Sequence, residues 1–149
     1  MTKKQISGLT LVLFIALSIF YCNGGGNGGN GGNGTPDTVI SDPSFSSNIQ
    51  PIFTSNCALS GCHNSTAQEG LNLSPGLAYA NIVNVDSTQD TQQPVRKRVE
   101  PGDSANSYLV IKIEGNQTVG TRMPQGRSPL SSVQIQNIKN WVDRGAKDN

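Results

Sequence analysis

The segment CALSGCHN, Cys57 to Asn64, gathers two of the chain's three cysteines and its only histidine. Three chemistries use such a set. A disulfide needs the two thiols and leaves the histidine idle. A structural zinc site needs four ligands, and the chain has no second Cys/His pair to complete one. Covalent haem attachment uses all three side chains. Each thiol adds S–H across a haem vinyl group to form a thioether, and the histidine after the second cysteine binds the iron. The usual form of that motif is C-x-x-C-H. Here the spacer is two residues longer, yet His63 still follows Cys62 directly. The reading is that Cys57 and Cys62 are the thioether residues and His63 the proximal ligand. The extra residues loop out, which Gly61 makes sterically easy.

A second axial ligand completes an electron-transfer haem. Bis-histidine ligation is impossible within one chain that has a single histidine. Methionine is the common alternative and raises the reduction potential. Of the two methionines, Met1 opens the chain, so Met123 is the remaining thioether. It lies in TRMPQG, where Pro124 favours an extended backbone at Met123. That suits a loop presenting sulfur to iron. The competing role for Met123 is an apolar plug. Nearby cations are secondary candidates. Arg122 and Arg127 flank the Met loop and could pair with haem propionates. The run Arg96-Lys97-Arg98 reads as a solvated loop face, as a docking patch for an acidic redox partner, or as facing the haem propionates.

These residues need elements to hold them. Phe45, Ile49, Ile52 and Phe53 form a helical stripe leading into Cys57, with Pro51 either kinking that helix or starting its last turn. PGLAYANIV predicts a short helix with Pro75 in its first turn. PGDSANSYLVIKIEG predicts a helix capped at Asp103 or Ser104 and stopped at Gly115. Its apolar run Tyr108–Ile111 also admits a strand. The last helix has the clearest pattern. Ser131 and Gln134 form a capping box, Ile135, Ile138, Trp141 and Val142 share a face, and Gly145 ends it. Trp141 is expected in the core, and Tyr79 and Tyr108 have no assigned role. No strand alternation predicts a sheet. The expected fold is mainly α, a helical domain with long loops.

The N-terminal part is of a different kind. Lys3 and Lys4 precede an apolar run of about 14 residues, GLTLVLFIALSIFY, which suits a signal segment better than a membrane span of roughly 20. Cys22 follows and resembles the acylated cysteine of bacterial lipoproteins, although Tyr21 precedes it where that signal favours a small residue. Asn23 to Gly34 is Gly/Asn only and has nothing to bury. The expected organisation is a signal segment at 1–21, a flexible linker at 22–42 and one domain at 43–149. The implied location is the cell envelope, with a lipid anchor at Cys22. A formal charge of +1 gives no reason to expect a nucleic-acid partner.

The stretches IQPIFTSNCALSGCHN, GLNLS, VEPGDSANSYLVIKI and RMPQGRSPLSSVQIQNIKNWVDRGA resemble the planctomycete-type cytochrome c domain family, over about Ile49 to Ala146. The resemblance implies a cytochrome c-like fold around one covalent haem c and an electron-transfer function with redox-partner proteins. It implies no enzyme activity. In that family the Met-Pro loop and the final helix close the pocket. The four-residue spacer departs from the family's pattern. Other readings are a disulfide-bearing structural or binding lipoprotein without haem, a metal site on the cysteines and histidine, and a haem-based sensor or peroxidase in which Met123 dissociates.

Overall fold

Helix α1 spans Gln50–Asn56 and carries Ile52 and Phe53 into the core. The computed structural model describes residues 37–149. The expected signal segment, Cys22 and the Gly/Asn tract lie outside them. Three further helices follow: α2, Ala78–Ile82; α3, Tyr108–Glu114; and α4, Ser132–Asp143. Among the described residues the architecture is mainly α, with isolated bridges in place of strands. None of the described helices is long and apolar enough to cross a membrane.

Pro51 explains how α1 begins. A π-helical turn, Phe45–Ile49, leads into it, and Gln50 N–H bonds to Phe45 O. Pro51 has no N–H to donate, so it sits where the α register starts. The stripe read from the sequence is therefore one apolar face running through two helical registers. Phe45, Ile49, Ile52 and Phe53 are all buried.

Two helix starts differ from expectation. Pro75 lies in a turn before α2, where Leu77 and Ala78 N–H both donate to Ser74 O. Gly76, at φ +78°, prevents that turn from joining the helix. Helix α3 starts at Ser107, later than Asp103 or Ser104. Asp103 closes its own turn by accepting Asn106 N–H at 3.0 Å. The Ser107 hydroxyl donates to Asp103 O at 2.8 Å and accepts from Glu100 N–H. That hydroxyl is thus committed backwards and makes no capping bond. The segment is helix and not strand, and Gly115 ends it in the left-handed region, as expected.

Helix α4 follows the sequence reading closely. Gln134 N–H donates to Ser131 Oγ at 3.2 Å and Ser131 N–H to Gln134 Oε1 at 2.9 Å. This reciprocal pair is the capping box. Trp141 is buried in the core, 5.2 Å from the Phe45 ring centroid. Its Nε1–H donates to Lys147 O, and the Tyr79 hydroxyl donates to Ala146 O. Both bonds hold the chain after α4 against the core. At the other end, Ile40 N–H donates to Asn137 Oδ1 at 2.7 Å, and Asn140 Nδ2 donates to Ile40 O. Residues 38–40, in the stretch read as linker, are thereby fastened to α4.

Candidate functional site

One cleft collects the residues that the sequence singled out. Its wall includes Cys57, Cys62, His63 and Met123. Phe53 and the helix end bring Cys57, the turn after it brings Cys62 and His63, and the loop between α3 and α4 brings Met123. The space between atoms, open mouth included, is about 1190 Å³. Helix α4 contributes nothing to the lining.

The spacer Ala58–Gly61 is folded. Ala58 N–H donates to Phe53 O at 2.8 Å, and Cys62 N–H donates to Leu59 O at 3.0 Å. His63 N–H reaches back to Cys57 O at 3.1 Å, which closes the turn across the two cysteines. Gly61 takes φ +77°, a conformation that side chains disfavour. The expected loop-out is therefore a closed turn that needs its glycine.

His63 is half-buried, and its Nδ1 lies 3.2 Å from Gln68 O. A carbonyl only accepts, so this bond requires the Nδ1–H tautomer. Nε2 then keeps its lone pair. A ring held through Nδ1–H in this way could offer Nε2 to a ligand. Burial lowers the His63 pKa below the ordinary imidazole value, opposed by backbone hydrogen bonds with Gln68 and Leu71. The neutral ring is favoured, as a ligand requires. Main-chain bonds fix the surroundings: Leu73 N–H donates to His63 O at 2.7 Å, and Gln68 N–H to Cys62 O.

Cys57 carries a free thiol. Burial pushes its pKa up to about 12, with the charge of Arg127 pulling the other way. A Cys57–Cys62 bridge is therefore not formed. Cys62 is buried beside it.

Met123 is half-buried against the core, and its N–H donates to Lys112 O at 2.9 Å. This bond ties the Met loop to α3. The flanking cations separate in role. Arg122 donates Nε–H to Ile113 O at 2.8 Å and stays off the cleft wall, whereas Arg127 lines it. Arg96-Lys97-Arg98 divides likewise. Arg96 forms a two-pronged pair with Asp90, at 2.7 and 3.0 Å. Lys97 pairs with Asp86. Arg98 is buried, lines the cleft and donates to the carbonyls of Glu69, Gly70 and Asn81.

Sequence reasoning missed Gln68 and Lys112. Gln68 acts through its backbone carbonyl, which no side chain announces. Lys112 is hidden in the apolar run YLVIKIE, but its position one helical turn after Tyr108 marks it as part of a buried face. Among the described residues, no group of three or more His, Cys, Asp or Glu side chains is placed to hold a metal ion. Comparison of the chain with protein-family models, curated proteins and solved structures found no match.

Proposed function

We propose that this protein is a membrane-tethered monohaem c-type cytochrome, with a cytochrome c-like domain that carries one electron to and from redox-partner proteins. The observation that carries this reading is the convergence of Cys57, Cys62, His63 and Met123 on one cleft. The donor set fits the group. An imidazole nitrogen and a thioether sulfur are haem-iron ligands, and apolar side chains such as Phe53, Leu71, Leu109 and Ile113 supply a low-dielectric wall. When bound, haem c supplies a one-electron iron couple, and no separate catalytic residues are assigned. His63 is oriented by its bond to Gln68 O, and Met123 is held near the core by its main-chain bond to Lys112. The lipid anchor at Cys22 and an envelope location belong to the same proposal.

Expression of the full chain with haem-attachment machinery tests this reading. The denatured protein is extracted with acid-acetone and its visible spectrum recorded. Haem that stays with the polypeptide is expected. A colourless polypeptide made under those conditions would overturn it.

A further inference from the structure

Lys112 is buried, with only 7% of its surface exposed, and it lines the cleft. Its ammonium has three donors, and the hydrogen bond described for it goes to Val119 O at 3.2 Å. The ion pairs among the described residues are Arg96–Asp90, Lys97–Asp86 and Lys139–Glu114, so Lys112 has no carboxylate partner there. Space is kept for the ammonium by Gly120, whose hypothetical Cβ would stand 3.2 Å from Nζ. Glu69 acts on it only through space, and burying a charge without a directly paired counter-charge is costly. Arg98 and Arg127 line the same cleft, and the acid on its wall is the exposed Glu69. The cleft thus combines an apolar wall with an excess of positive charge. A ligand complementary to it has a large apolar body and an anionic edge.

We propose that Lys112 is a binding residue for a carboxylate of the porphyrin, forming a charge-assisted hydrogen bond inside the cleft. The inference rests on the haem reading and adds to it the residue that recognises the ligand's anionic edge. Arg98 and Arg127 add to the same field, but Arg98 also braces three loop carbonyls. Lys112 is therefore the cleaner test.

Free-base protoporphyrin lacks iron, so its binding separates carboxylate recognition from axial ligation. The full-length chain without haem, in mild detergent, is titrated with protoporphyrin and with its dimethyl ester, followed by porphyrin fluorescence. The diacid is expected to bind about tenfold more tightly than the diester, a ratio equivalent to about 1.4 kcal/mol. Lys112→Met keeps a long apolar stem and is expected to bring the ratio to within about twofold. Circular dichroism monitors folding of the variant, and Lys112→Arg is expected to restore the preference. Equal binding of the two ligands by the wild-type chain would overturn the inference, and so would a folded Lys112→Met chain that keeps the full preference. Failure of both porphyrins to bind would overturn it too. Covalent haem in the extraction experiment reports on the cytochrome reading separately. Haem retained together with no diacid preference would therefore sink only the role of Lys112.

Discussion

At the scale of single residues, His63 and Met123 are held on the cleft wall in different ways. The bond from His63 Nδ1–H to Gln68 O determines which ring nitrogen remains a donor of electrons. Met123 has no such side-chain partner, and its placement depends on the backbone bond to Lys112 O. Under the proposed function, Met123→Ala is expected to abolish the weak near-infrared sulfur-to-iron band. It should also lower the reduction potential, because the thioether favours the reduced state. Redox titration of the loaded variant checks the potential. A retained band would reassign the distal ligand. Met123 was legible in the sequence because methionine is so scarce here. The orienting contact to His63 was not, because a backbone carbonyl is present at every residue.

At the scale of elements, the four-residue spacer is the most informative piece. It is a hydrogen-bonded turn whose closure is His63 N–H to Cys57 O. Gly61→Ala is expected to destabilise the protein by about 1 kcal/mol, since alanine is strained at φ +77°. A Cβ there would meet nothing within 4 Å, so the cost is conformational and not steric. Urea unfolding of the variant should show a lower midpoint with an unchanged slope. A changed slope would mean that the turn shapes more than itself. The helices show what sequence could and could not give. Helix α4 was readable because its cap and apolar face are both local. The start of α3 was not, because Ser107 is held by Asp103 O and Glu100 N–H, through contacts specific to the turn. Lys112 escaped notice because a lysine in an apolar helix usually reaches water.

At the scale of the whole molecule, one ion pair ties the cleft edge to the rest. Asp90 has a fully buried side chain and is gripped by Arg96 through both carboxylate oxygens. It also accepts the main-chain N–H groups of Gln92 and Arg96. Ser87, Thr88 and Gln89, immediately before it, form part of the cleft wall. The Arg96 side-chain hydrogen bond, opposed by burial, holds the Asp90 carboxyl well below the usual range. A depressed folded-state value means that the charged form contributes stability above the unfolded pKa of about 3.9. That contribution is lost as pH falls through this value toward the lower folded one. Asp90→Asn is expected to cost about 1–3 kcal/mol at neutral pH, the range for hydrogen bonds to a charged group. Thermal unfolding between pH 7 and pH 3 should show a shallower loss of stability in the variant. Parallel curves for the two proteins would count against this account.

The fastening of residues 38–40 to α4 has a mechanical meaning. Tension applied from the N-terminal side reaches the folded part first through Asn137 and Asn140. Their helix shares no residue with the cleft wall. Under the proposed tether, the load path and the candidate site occupy separate walls of the domain. A pull would then be borne by two amide side chains and the core beneath them before it reached the turn that carries His63.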